Sequence, residues 1–537
     1  MTADCGVVSV AMVNDPNQDL SGPDTNKNSE SECTFILANK GSTIVAAFDN
    51  TQLDEVAYGA PISGIYYFSN IVTPRSAWWA RSTNGGLSFT NTQPLPPTNN
   101  LILGQGDAPN PAMTYDPNYP SNSSGTVYLL GNSSRESGNT GFRLWTSTNT
   151  GQSFTLISTN LPGGSSPPRG CDRPMLKVDP STHYLYVAGT STDTNVIARL
   201  FAARSTTYGT NWDLYKTFDT SAGQTDIAIK PHGPVYVFWV TYPGNGPIYT
   251  NRLRYAWLMP GSTNWSGPND VGITLNSTLI GGHRYPLRFN GDSSEDNFLI
   301  IPFPRAAYAN SHIYLAYSDL PSTNQSTTDK GDIFLAELNV TPSDGSLTLT
   351  GPPRVVNNDH TQTDQWDAAI AANPQGTELF IGYYSRQVDP TTNSLIKAYG
   401  AKVYNIVNGL TNATIDCFPI SPTAFPPLFN GTNDPANLQF DPVYPPAGWP
   451  TTYVCFDEFA RVSCLQTNGD FCPTYPTYTF DVEAYNYFFQ DDNTWADADT
   501  NYFYYAWCDR SRTWTWTVSG FQNTRPDADV KLAKIRQ

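Results

Sequence analysis

Short runs in which apolar, β-branched and aromatic residues crowd together recur along this chain, each bounded by Gly, Asn, Ser, Thr, His or Pro. They cover residues 42–48, 125–130, 183–188, 233–239, 311–317, 377–383 and 501–507. Such side chains suit a pleated, half-buried backbone, and the flanking residues favour turns, so each run reads as a strand. A further strand candidate precedes each one, at 34–37, 111–115, 174–178, 226–229, 298–303, 366–371 and 482–487, and a third follows, the last at 529–535. Short antiparallel strands repeated in units of roughly 50 to 80 residues predict an all-β fold, a seven-bladed β-propeller.

The last unit ends after its third strand, while residues 7–13 form an orphan strand at the other end of the chain. Pairing the two closes the ring and removes an open sheet edge. The long interval between the sixth and seventh runs holds a segment rich in Pro and Cys, about 418–480. It reads as an insertion within the last blade of a single propeller spanning 1–537, pinned in part by Cys455, Cys464 and Cys472.

A second repeat has the form Ser-x-(Asn/Thr)-x-Gly-x-x-aromatic. It occurs as RSTNGGLSF at 81–89, TSTNTGQSF at 146–154 and RSTTYGTNW at 204–212. The pattern is that of a hairpin turn: a small polar side chain bonds turn amides, Gly takes the positive-φ position, and the aromatic anchors the turn on the sheet. These segments resemble the Asp-box (BNR) repeats of secreted sialidase-like propellers, with Asn84, Asn149 and Thr207 where that family usually has Asp. CDRPMLKVDP at 171–180, QWDAAIA at 365–371, and WCDR at 507–510 with RPDADV at 525–530 extend the similarity over nearly the whole chain outside 418–480. The resemblance implies a propeller whose relatives include hydrolases, lyases and non-catalytic binders. The early Phe/Tyr-Arg-Ile-Pro segment of sialidases is absent. Their Glu-activated Tyr nucleophile has its counterpart in Tyr485 or Tyr487 beside Glu483, which share one strand face by alternation.

Composition narrows the partners. The formal charge is −17 with a pI near 4.6, which argues against nucleic acid, whose phosphates demand a basic face. No apolar run approaches the ~18 residues of a membrane span. The start of the chain lacks the basic and apolar regions of a secretory signal, as a mature chain with an added Met would. Eight cysteines, none in a C-x-x-C pair, accompany only five His and few Lys. That argues against structural zinc and for disulfides in a secreted, monomeric protein. N-x-S/T sequons, such as those at Asn122 and Asn430, occur at about the frequency composition alone gives.

Candidate chemistry lies at the axial mouth, where inner strands begin and second strands finish. The inner-strand starts carry Glu30, Glu32, Asp107, Asp172, Arg173, Asp226, Arg305, Asp364, Asp367, Asp481 and Glu483. The second-strand ends carry Asp49, Arg135, Glu136, Tyr242, Asp319, Arg386, Asp389, Asp509 and Arg510. Crowded carboxylates cannot all ionise, so one with a raised pKa serves as a general acid. Asp172, Asp367, Glu483 and Tyr485 are the catalytic candidates. Arg173, Arg386 and Arg510, with Arg305 and Asp226, are the substrate contacts, since guanidinium forks suit a sugar carboxylate. The structural alternative is that these acids bond backbone amides of neighbouring blades and the arginines neutralise them.

His283-Arg284-Tyr285 offers a base and a neutraliser for a lyase, against the plainer reading of an exposed loop. The run 491–499 offers oxygen ligands for a structural Ca²⁺ but lacks the turn glycine of a formed loop. No phosphate loop, dinucleotide fingerprint or nucleophile elbow occurs, and no cofactor is expected. The expected activity is that of a carbohydrate-active enzyme, an exo-acting glycosidase or a lyase on a glycan with an acidic sugar. A glycan-binding adhesion propeller is the alternative.

Overall fold

Seven antiparallel sheets follow one another along the chain in the computed structural model, four-stranded except the fifth, where Arg354–Val355 adds a short strand against Phe334 and Leu335; in the first six the four main strands pair in sequence order. The structure describes residues 6–16, 28–52, 75–96, 110–120, 124–132, 142–158, 169–192, 198–220, 222–241, 249–279, 287–289, 298–300, 303–321, 329, 331–357, 359, 361–391, 395–425, 452–456, 462–466, 494–518 and 521–537. The inner strands of blades one to six are Asn28–Ala38, Ala112–Asp116, Arg169–Asp179, Ala222–Ile229, Arg305–Ala309 and Gln365–Ala372. Their second strands are Thr43–Gln52, Thr126–Asn132, Tyr184–Thr192, Val235–Thr241, His312–Asp319 and Leu379–Ser385. Blade seven runs Trp495–Ala498, Tyr502–Val518 and Phe521–Arg536, and Val7–Met12 completes it as the outer strand. Val7 lies opposite Ile535 and Met12 opposite Lys531, so the two chain ends close the ring as the edge argument predicts.

The near-continuous apolar runs have a simple cause: each second strand is buried on both faces. Val127 and Leu129 point into the layer shared with blade one, beside Val45, Ala47 and Trp79. Tyr128 and Leu130, of opposite parity, point into the layer shared with blade three, beside Val187 and Phe201. A period of two thus serves two neighbours rather than core and solvent. Each fully buried aliphatic side chain contributes roughly 1.5–3 kcal/mol.

Two inner strands differ from expectation. The run 298–303 was expected to be the inner strand of blade five, but Phe298–Ile300 pairs with Leu287–Phe289 as a separate hairpin. The inner strand is Arg305–Ala309, paired with His312–Ala316. In blade seven the inner strand is Trp495–Ala498, not 482–487, which lies outside the described residues. Both true strands are short and rich in Ala, Arg or Asp, so pairing and burial impose the extended form against weak propensity. Thr414–Pro419 is the outer strand of blade six, and Phe425 bridges Ile396 beyond it. Within the expected insertion, Thr452–Phe456 and Val462–Gln466 pair as a hairpin.

The three repeated turns join third and outer strands at the rim opposite the mouth. Ser82 Oγ accepts the Gly86 amide at 2.9 Å, and Asn84 Oδ1 accepts the amides of Leu87 and Ser88, both at 3.1 Å. Ser147 and Asn149 repeat those bonds, and Ser205 and Thr207 make a related set. Each turn also grips the preceding blade. Trp79 Nε1 donates to Gly151 O at 3.0 Å, Arg81 Nε donates to Thr150 O at 2.8 Å, and Trp79 meets Phe154 edge-on at 5.1 Å. Gly151, at φ +78°, lies so close that a Cβ there would stand 2.5 Å from Val45 Cγ2.

Candidate functional site

Inner strands run away from the mouth and second strands return to it, so the mouth is lined where the former begin and the latter end. Three of its acids link blades. Asp49 accepts the Asn110 amide with both oxygens, at 3.0 and 3.1 Å, joining blades one and two. Asp226 accepts the amides of Ala306 at 2.8 Å and Ile227 at 2.7 Å, joining blades four and five. Asp319 accepts those of Asn276 at 2.6 Å and Leu320 at 2.9 Å, joining blade five back to four. Burial raises the Asp226 carboxyl, while Arg305, Lys177 and the two amides pull it back down.

Arg305 crosses the axis. It is 2% exposed, and its Nη2 donates to Thr494 O of blade seven at 3.2 Å. Its guanidinium lies 3.7 Å from Met175 Sδ of blade three and over the rings of Phe303 at 4.1 Å and Trp495 at 5.6 Å. Thr494 turns its hydroxyl the other way, donating to Asp367 O at 3.0 Å. Asp367, buried at the start of blade six, has φ +55°, and the register shifts between Trp366 and Ala369. Its amide donates to Ser318 Oγ of blade five at 3.1 Å. Hydroxyls from both neighbouring blades therefore hold this left-handed backbone, a conformation retained only where the surroundings over-determine it.

Arg386 ends the second strand of blade six and pairs with Asp364 at 3.0 Å, both side chains fully buried. Burial draws the guanidinium below its ordinary value, and Asp364 offsets that. Arg386 also lies 5.6 Å over the Trp366 ring. Two residues before it, Tyr384 OH donates to Cys508 O and accepts the Cys508 amide, each at 3.0 Å. Arg510 stands two residues beyond Cys508 and is 4% exposed. Asp509 beside it accepts Lys531 Nζ at 2.7 Å. Arg305, Arg386 and Arg510 thus occupy the mouth ends of three successive blades.

One mouth acid escaped the sequence reading. Asp329, between the second and third strands of blade five, is pushed up to about 8, chiefly by burial and then by the charges of Asp332, Asp364 and Asp359. It lies on no strand and in no motif. The only available signal was the recurrence of Asp at 329, 332, 359 and 364, four positions that the fold brings to one junction.

The other expected residues divide in two. Asp172 and Arg173 lie in the inner strand of blade three, beside a register shift between Asp172 and Met175, and their side chains are outside the described residues. Glu483, Tyr485, His283 and the start of the 491–499 run also lie outside them. The remainder of that run forms the inner strand of blade seven and a turn. There Asp499 accepts the amides of Asn501 and Tyr502 at 2.8 Å and the Tyr504 hydroxyl at 2.9 Å. Among the described residues no group of three or more His, Cys, Asp or Glu is placed to hold a metal ion, and no helix is long and apolar enough to cross a membrane. Cys33 and Cys508 are buried, and Cys417 Sγ lies 3.1 Å from Val356 O. The side chains of the other five cysteines lie outside the described residues.

No protein-family profile and no curated protein sequence matches the chain. Among solved structures, it is similar to the NanB sialidase of Streptococcus pneumoniae at 13% identity and TM-score 0.40, covering 68% of this chain and 66% of that one. It is similar to the Trypanosoma rangeli sialidase, solved with sialic acid, at 11% identity and TM-score 0.39, covering 75% and 58%. The intramolecular trans-sialidase of Ruminococcus gnavus shares 12% identity at TM-score 0.39, covering 73% and 94%. The chain spans two thirds or less of the length of the first two enzymes. The architecture itself rests on the strand order: this chain is a seven-bladed β-propeller closed by its N-terminal strand.

Proposed function

We propose that this propeller acts at its axial mouth on a glycan bearing an acidic sugar, as a glycosidase or lyase, and that it works as a secreted, disulfide-bonded monomer. In this reading the three repeated turns are Asp-box staples. One observation carries the proposal: Arg305, Arg386 and Arg510 stand on three successive blades at one end of the molecule. Arg305 and Arg510, nearly desolvated and held in place, would lose little freedom on meeting a carboxylate, which favours a bidentate grip, while Arg386 already pairs with Asp364. Asp329 supplies a carboxyl that keeps its proton at neutral pH, as a general acid requires. Asp367, on its held and strained backbone, is the partner carboxylate. Asp172, Glu483 and Tyr485 remain candidates for the same chemistry, and Arg173 for a further sugar contact.

A non-catalytic binder is the second reading. It is favoured by the amide bonds that occupy Asp49, Asp226 and Asp319, since those acids are committed to joining blades. A glycan array carrying sialylated and uronate-bearing chains, followed by reducing-end and unsaturated-uronate assays on the hits, separates the two. Asp367→Asn should abolish turnover while binding stays within a few-fold, because the shape survives and the carboxylate that takes up a proton or attacks does not. Undiminished turnover in Asp367→Asn removes that residue from the mechanism. Binding without turnover in the wild type selects the binder.

A further inference from the structure

Below the mouth, toward the opposite rim, the axis holds a cavity of about 150 Å³. Its walls come from the inner strands of blades seven, one, two and three, and its chemistry from Lys177, Asp497 and Trp495. Strand parity explains the placement. Met175 and Lys177 share one face of the blade-three strand, so as Met175 meets Arg305 at the mouth, Lys177 enters the cavity one step below. Trp495 and Asp497 share a face of the blade-seven strand in the same way.

The Lys177 ammonium lies 4.8 Å over the Trp495 ring and has no hydrogen-bond acceptor among the described residues. Asp497 accepts the Ala498 amide with one oxygen at 2.8 Å, and its other oxygen has no donor among the described residues. The two groups feel each other's charge, yet no ion pair joins them among the described residues. A cation and an anion facing one cavity without closing on each other leave room for a ligand that completes both. Lys177 and Asp497, both partly exposed, set one cationic group against one anionic group on the cavity wall. A net-charged guest would disturb that balance and a zwitterion would not. A cavity of this volume admits about six heavy atoms.

We propose that the axial cavity binds a small zwitterion of the amino-acid class, its carboxylate on Lys177 and its ammonium on Asp497. The inference does not draw on the glycan reading of the mouth and stands or falls separately. Trp495 forms the wall between the two sites, since Arg305 approaches the same ring from the mouth side.

The test is calorimetric titration and thermal shift of the full chain with glycine, β-alanine, acetate and methylammonium. Glycine and β-alanine should bind, while acetate and methylammonium, each satisfying one group, should bind at least about tenfold more weakly. Lys177→Met and Asp497→Asn should each weaken glycine binding by about tenfold or more, and Lys177→Arg should restore part of it. No heat and no shift with glycine up to about 100 mM would overturn the proposal. So would acetate or methylammonium binding as well as glycine in the wild type, a comparison that needs no variant to fold.

Discussion

The two rims of this propeller solve the same problem by opposite means. At the turn rim, Ser82 and Asn84 satisfy amides two to four residues away, and the same bonds recur at Ser147 and Asn149. At the mouth, Asp49 reaches an amide sixty-one residues on, Asp226 one eighty residues on, and Asp319 one forty-three residues back. The repeated turns spend neutral side chains, while the buried carboxylates of that rim, Asp116 and Asp179, lie outside them at the ends of inner strands, held by His183 and by the hydroxyls of Ser181 and Thr182. Long-range bonds gather carboxylates, and each carboxylate invites a counter-charge. The mouth's acids and arginines are therefore first a consequence of how blades are joined. Asp367, Asp329, Arg305, Arg386 and Arg510 lie in the same setting, and the proposed chemistry rests on them.

This contrast predicts an unequal response to mutation. The largest effect belongs to Arg386→Ala, which leaves Asp364 buried without its cation and should cost about 3–5 kcal/mol in urea unfolding. Restoring neutrality with Asp364→Asn in the same chain should recover part of that loss. If Arg386→Ala unfolds at the wild-type midpoint, the buried pair is not a feature of the folded protein.

An intermediate effect is expected at Asp329, and it depends on pH. With its carboxyl held at about 8 against an ordinary 3.8, the folded state retains a proton that the unfolded state has released. The stability this contributes is complete below about pH 4 and is lost as pH rises through about 8. Asn keeps the shape and does not titrate, so the wild type should lose stability relative to Asp329→Asn across that window. Parallel urea midpoints of the two proteins from about pH 5 to 9 would show instead that Asp329 ionises normally. The smallest effect is at Asn84→Ala, where the four side-chain bonds of Asn84 in an exposed turn are lost. The expected cost is about 0.5–1.5 kcal/mol in urea unfolding, with no change in ligand binding.

The same contrast decides what the sequence made legible. The turns at 81–89, 146–154 and 204–212 could be read because donor and acceptor lie within one short motif. The closing strand 7–13 could be read because an orphan strand and an incomplete blade demand each other. The inner strands Arg305–Ala309 and Trp495–Ala498 could not, since their extended form comes from pairing rather than from their own residues. At the mouth, alternation and strand ends located Asp226, Arg305, Asp367, Arg386 and Arg510. They did not reveal that Asp226 is held by two amides, that Arg386 is paired with Asp364, or that Asp367 adopts a left-handed backbone. Asp329 stayed hidden because its environment is assembled from segments that are separate in the chain.

The central claim is that the mouth arginines grip an acidic sugar, and a single comparison tests it. Affinity for the best acidic glycan from the array is measured for the wild type, Arg510→Lys and Asn84→Ala. Lysine keeps the charge but loses the planar fork. If the guanidinium holds a desolvated carboxylate, Arg510→Lys should weaken binding by about 2 kcal/mol, roughly thirtyfold. Asn84→Ala should bind as the wild type does. Unchanged affinity in Arg510→Lys together with lost affinity in Asn84→Ala, both proteins folded, would place the site at the opposite rim and contradict this account.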